Sequence, residues 1–204
     1  MNILTGNIIS ISVRNKKILG LVVSSEELRE IKSNIKKMNF NLKKVIENKG
    51  PSVFRKEFLE AELETGKYFA QNKSNSIISL IPNIFLEKYD EILKIKSEEK
   101  DILEDSQNLR SEKLLFQSPL EDRISIYKTL IRESFARGKS IFIVLPTELG
   151  IEIFANNLSK GIEQFAFSLH GKISAKKNLI NYGKIMKASH PVLIIGTPPF
   201  LSIP

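Results

Sequence analysis

From about residue 113 onward, uninterrupted apolar runs alternate with segments of helical periodicity, and few folds accept that rhythm. Ser140-Ile141-Phe142-Ile143-Val144-Leu145-Pro146 gives a strand no polar face, and Phe165-Ala166-Phe167-Ser168-Leu169 and Val192-Leu193-Ile194-Ile195-Gly196-Thr197 repeat the pattern. Between them lie helical stretches: Arg123 to Arg137 ended by Gly138, Glu148 to Lys160, and Lys176 to Ala188. Lys113-Leu114-Leu115-Phe116 reads as a short buried strand ahead of them. Strands that are apolar on both faces and separated by helices imply a parallel sheet covered on each side, so residues 114–204 are expected to form one α/β lobe.

The first part of the chain reads differently. In Asn7-Ile8-Ile9-Ser10-Ile11-Ser12-Val13 the residues Ile9, Ile11 and Val13 alternate with polar ones, the mark of a half-buried strand. Arg14-Asn15-Lys16-Lys17 turns the chain into Ile18-Leu19-Gly20-Leu21-Val22-Val23, a β-hairpin with a basic tip. Ser24 and Glu27 have capping-box spacing ahead of Leu28, Ile31, Ile35 and Met38, which predicts a short amphipathic helix. A third strand is expected at Leu42 to Ile46, then a turn at Asn48-Lys49-Gly50-Pro51, then a helix from Val53 to Asn72. Phe54, Phe58, Ala61 and Tyr68 share one face of that helix, with Leu59 and Leu63 beside it, and this face is read as core. A small β-rich domain over residues 1–88 is the expectation, joined to the lobe by a charged connector over 89–113.

The charge distribution follows the same division. Of 31 basic and 23 acidic side chains, residues 1–85 hold 14 and 8, residues 86–113 hold 6 and 9, and residues 114–204 hold 11 and 6. Two basic units flank an acidic connector, and the net charge of +8 favours a polyanionic partner. No run approaches the roughly 20 apolar residues that cross a bilayer, and the first residues lack a signal-peptide pattern, so a cytoplasmic protein without a membrane partner is expected. With no cysteine and only His170 and His190, neither a disulfide nor a thiolate or histidine metal site is expected. His170 is read as a polar residue at a strand end, Phe165 and Phe167 as core, and Pro198-Pro199 as a strand terminator.

Taken in order, several segments resemble the primosomal replication-restart DNA helicases. In the first half these are Gly6 with the strand to Val13, Gly20-Leu21-Val22-Val23, Leu42-Lys43-Lys44-Val45-Ile46, and Tyr68-Phe69 followed by Leu80-Ile81-Pro82, similar to the domain that binds the 3′ end of a DNA strand. In the second half Ile143-Val144-Leu145-Pro146, Leu169-His170 with Ser174, and Ile195-Gly196-Thr197 resemble segments of the first helicase lobe, with Thr147, Pro198 and Pro199 replacing residues of that pattern. The resemblance implies a RecA-like lobe and a DNA-binding function, with primosome or replication proteins as partners. It also implies phosphate contacts by Arg14, Lys16, Lys17, Lys43 and Lys44, with Lys43 near a terminal nucleotide and forked or single-stranded DNA as ligand.

The same resemblance implies that ATP chemistry is lost. A P-loop works because glycine-permitted turns aim several N–H groups at the phosphates while a lysine and a hydroxyl reach the γ-phosphate and its magnesium ion. Here the corresponding stretch is Gln117-Ser118-Pro119-Leu120-Glu121-Asp122-Arg123-Ile124, without a glycine. Leu120 and Asp122 stand at glycine positions, Arg123 at the lysine and Ile124 at the hydroxyl, and two carboxylates sit where an anion belongs. The expectation is therefore a non-enzymatic DNA-binding protein with no nucleotide cofactor. Two alternatives stay open: a fragment or subunit of an active helicase, and a protein-interaction scaffold without DNA affinity.

Overall fold

The computed structural model describes residues 3–25, 42–97 and 112–202. The chain divides into two compact units, Met1–Tyr89 with Ser202–Pro204, and Asp90–Leu201. The first contains an antiparallel three-stranded sheet and the second a parallel three-stranded sheet flanked by helices, so the class is mixed α/β. The expected helix after Ser24 lies outside the described residues.

In the first unit, strands β1 (Asn7–Val13), β2 (Lys16–Leu21) and β3 (Val45–Pro51) form a sheet in the order β2-β1-β3. Val13 pairs with Lys16, so the hairpin turn is only Arg14-Asn15, both with positive φ (49° and 61°), the conformation of a type I′ turn. Ile8 and Ser10 are the fully buried residues of β1, which reverses the face expected from Ile9, Ile11 and Val13; those three remain half-buried on the other side. Both phases of Asn7–Val13 carry an isoleucine, and the sheet buries the phase that includes the small Ser10. A second correction concerns Asn48-Lys49-Gly50-Pro51, which is strand rather than turn: its ladder with β1 shifts register twice, and Gly50 takes up one irregularity at φ 99°.

Helix α1 (Lys56–Tyr68) follows, and its buried line is Leu59, Glu62 and Gly66. The face expected to be core is instead turned outward at Ala61 and at Tyr68, which is 84% exposed, while Phe54 is buried just before the helix begins. Packing explains the rotation. At Gly66 a Cβ would come within 2.9 Å of the Ser76 Cβ on α2 (Lys73–Ser79), so this glycine line is what lets the two helices touch. In α3 (Ile84–Glu87) Phe85 is buried, at the start of α4 (Tyr89–Ser97) so are Tyr89 and Ile92, and the Tyr89 hydroxyl donates to the Pro51 carbonyl at 3.0 Å. The start of the expected solvated connector is therefore packed structure.

In the second unit, α5 (Leu120–Ala136) is capped by Gly138 at φ 71°. β4 (Ile141–Val144), α6 (Glu148–Leu158), β5 (Ala166–Leu169), α7 (Ala175–Met186) and β6 (Leu193–Gly196) then alternate. All strands are parallel in the order β4-β6-β5, so the last strand in sequence is central, and each of its four residues is buried. β4, expected to be fully buried, is a half-buried edge strand. Ile131, Ile151, Phe154, Leu158, Leu193 and Ile195 form the core, with Ile124, Tyr127 and Phe135 against it. Burying each such side chain contributes about 1.5–3 kcal/mol. Lys113–Phe116 is not a strand: Leu115 is fully exposed and Leu114 81% exposed, and α5 begins three residues earlier than its periodicity predicts.

Candidate functional site

The sheet of the first unit gathers the basic residues singled out in the sequence. Arg14 forms the hairpin turn, Lys16 and Lys17 open β2, and Lys17 sits opposite Ser12. On the other side of β1, Ile11 pairs with Val45, so Lys43 and Lys44, which lead into β3, reach the same end of the sheet as the turn. All five are exposed. Lys17 is neutralised: its Nζ lies 2.8 Å from Glu47 Oε2, with Lys49 Nζ 3.9 Å from Oε1. The hydrogen bond and charge of Lys17, with a smaller effect of Lys49, hold the Glu47 carboxyl below its usual range. Arg14, Lys16, Lys43 and Lys44 are exposed and have no ion pair among the described residues.

Within the stretch Gln117–Ile124, the residues from Leu120 onward are the first turn of a helix. Pro119 is the N-cap residue of α5, and the Arg123 amide donates to its carbonyl at 3.1 Å. Leu120 and Asp122 are exposed on the first turn, the Ser118 hydroxyl donates to Asp122 Oδ2 at 3.1 Å, and Ile124 points into the core. Arg123 Nε is buried with no hydrogen-bond partner among the described residues. Glu121 and Asp122 complement the positive end of the helix themselves. The geometry is thus a closed helical turn carrying its own anions.

A third cluster was not foreseen. Where open parallel sheets bind ligands, at the carboxyl ends of the strands, β4 runs into Thr147, the N-cap of α6, and β5 runs through His170 to Ser174, the N-cap of α7. Glu148 Oε2 lies 2.9 Å from Lys172 Nζ, and its Oε1 lies 3.9 Å from the Nδ1 of His170. The hydrogen bond from Lys172 is the main cause that lowers the Glu148 pKa, against desolvation, and the same pairing raises that of Lys172. His170 is 7% exposed, its Nδ1 has no hydrogen-bond partner among the described residues, and its carbonyl accepts from the Asn178 side chain at 3.1 Å. The sequence signal that marks this edge is the pair of capping residues, Thr147 and Ser174, each just after a strand. Chemically the cluster is a lysine-held carboxylate beside an imidazole.

At the other end of the strands a cleft of about 610 Å³ is lined by Ile95, Phe165, Phe167, Lys184, Lys187 and His190, among others. Phe165 and Phe167, expected to be core, are half-buried at its wall, and the Phe165 ring meets His190 edge-on at 5.4 Å. Among the described residues no group of three or more histidine, aspartate or glutamate side chains is placed to hold a metal ion, and no helix is long and apolar enough to cross a membrane. No protein-family model and no curated protein sequence matches the chain.

Proposed function

We propose that this chain binds DNA through the basic end of its antiparallel sheet and does so without turning over nucleotide. The observation that carries the reading is the convergence of Arg14, Lys16, Lys43 and Lys44, separated by some thirty residues in sequence, at one exposed end of three strands. Phosphate contacts by such cations give sequence-independent affinity that weakens as salt rises, because counterions are released on binding. The side chains are long and exposed, which suits a single strand or the branch of a fork.

Within this reading the second unit is a reduced, RecA-like lobe related to that of the primosomal replication-restart helicases. Two features support the loss of catalysis: the helical course of Leu120–Ile124, and the carboxylates of Glu121 and Asp122 at the positive end of α5. The chain then acts in the cytoplasm as a binding component during replication restart, alongside primosome or replication proteins.

Fluorescence anisotropy with a labelled forked DNA is the test. Micromolar affinity that falls steeply between low and physiological salt is expected, together with at least a tenfold loss on Lys16→Glu/Lys43→Glu. Absence of salt-sensitive binding at micromolar protein rejects the reading, and an ATP analogue bound against Arg123 rejects its non-catalytic part.

A further inference from the structure

The cleft at the amino ends of β5 and β6 holds about 610 Å³, within the range of small-molecule sites. One wall is a single face of α7, along which Ile180, Gly183, Lys184 and the C-cap Lys187 recur at helical spacing. Phe165 and Phe167, two residues apart at the start of β5, supply aromatic rings to the lining. Ile180 is 48% exposed although it is apolar. At Gly183 a Cβ would only touch Ile95 at 3.6 Å, an ordinary contact, so the glycine leaves the helix wall bare.

The charged groups are of one sign. Among the described residues that line the cleft, the ionisable ones are Lys184, Lys187 and His190, and none is a carboxylate. All three are exposed, and the His190 ring meets Phe165 edge-on at 5.4 Å. Lysines near the end of a helix complement its dipole, which accounts for Lys184 and Lys187 but not for the bare apolar surface beside them. From Ile180 to Lys187 the wall runs roughly 10 Å, at about 1.5 Å per residue, from apolar to cationic.

We infer that this cleft binds a small aromatic anion, a fused ring system carrying a phosphate or carboxylate. The rings lie against Phe165, Phe167 and Ile180, and the anionic group reaches Lys184 and Lys187, with the His190 imidazole beside it. Charge decides the sign of the ligand: two ammonium groups with no carboxylate among the lining residues attract an anion and repel a cation. Length decides its size. Roughly 10 Å accepts two fused rings with their substituent, but only about three residues of an extended peptide. A concave, largely apolar lining with a few polar groups at one side is the form of a site for one small ligand.

Titration of the full chain with naphthyl phosphate, followed by amide NMR shifts, is the test. Saturable shifts are expected at Phe167, Gly183 and Ser189, with a dissociation constant on the order of 0.1 mM, as suits a ligand of that size. Uncharged naphthol binds at least tenfold more weakly, and inorganic phosphate leaves the Phe167 and Gly183 amides in place. Lys184→Gln/Lys187→Gln weakens naphthyl phosphate at least tenfold without altering the circular dichroism. Gly183→Leu suits a helix better than glycine and fills the cleft, so it abolishes binding in a folded protein; should it fail to fold, Ile180→Asp takes its place. Absence of saturable shifts at about 2 mM ligand, equal affinity for naphthol, or unchanged binding by the double lysine variant would each overturn the inference. Tighter binding of an acidic, phenylalanine-containing peptide at the same amides would overturn it too, by giving the cleft to a protein partner.

Discussion

Glu62 is a carboxylate in the wrong place for its charge. It lies on the buried line of α1, 8% exposed, and burial raises its pKa. A folded-state pKa above the unfolded value means that folding favours the protonated form: the contribution is fully present below the ordinary carboxylate pKa and fades as pH rises through the raised one. Glu62→Gln is therefore expected to melt higher than the wild type at pH 7 and alike near pH 4, by circular dichroism. Equal melting temperatures at both pH values would show that ionisation there carries no penalty. Gly196 makes the opposite demand, for the absence of a side chain. A Cβ at this position would meet the backbone carbonyl of Leu169 at 3.0 Å and the Phe142 ring at 3.2 Å, and the carbonyl belongs to the neighbouring strand. Gly196→Ala is expected to cost about 1–3 kcal/mol in urea unfolding, as overpacking does. Individual residues were the least legible part of the sequence: Glu62 looks like any surface glutamate on a helix, and only the tight approach of Ser76 to Gly66 turns it inward.

Among the elements, those with an unambiguous period were readable, and those with two acceptable phases were not. The second unit's helices and strands follow from apolar runs alternating with helical periods, one of them ended by Gly138, and each appears within a few residues of its expected place. β1 offered isoleucine on both faces, and the face that is buried is the one that carries Ile8 and the small Ser10. Lys113–Phe116 has the composition of a buried strand, but a strand also needs a neighbour, which composition cannot supply. The central position of β6 makes it the most sensitive element: Ile195→Ala, at a residue 1% exposed, is expected to cost about 2–5 kcal/mol. Unfolding by denaturant measures this, and a loss under 1 kcal/mol would contradict the assignment of Ile195 to the core. In the hairpin the left-handed pair Arg14-Asn15 sets the register; Asn15→Val is expected to destabilise the first unit by about 1–2 kcal/mol because a β-branched residue resists positive φ.

For the whole molecule, the net charge of +8 permits a polyanion but says nothing of where it sits. In the proposed reading, long-range pairing supplies the place. Neither the segment with Arg14 nor the one with Lys43 is basic enough alone, and the antiparallel ladder from Ile11 to Val45 makes them one surface. With four phosphate contacts from these cations, the slope of log affinity against log salt for a single strand is expected near roughly −3, shrinking by about 0.7 with each lysine removed. A flat salt response in the anisotropy titration would mean that the cations face only solvent. The Glu148–His170–Lys172 cluster stayed hidden for a related reason: its members come from two different strand–helix junctions, and only the parallel order of the strands makes them neighbours. That order has a further consequence in time. β6 is the strand that both β4 and β5 need, yet it is the last of the three to leave the ribosome, so the nascent chain holds two unpaired apolar strands until it arrives. Both ladders then close together, late and over long loops, so the topology itself predicts slow assembly.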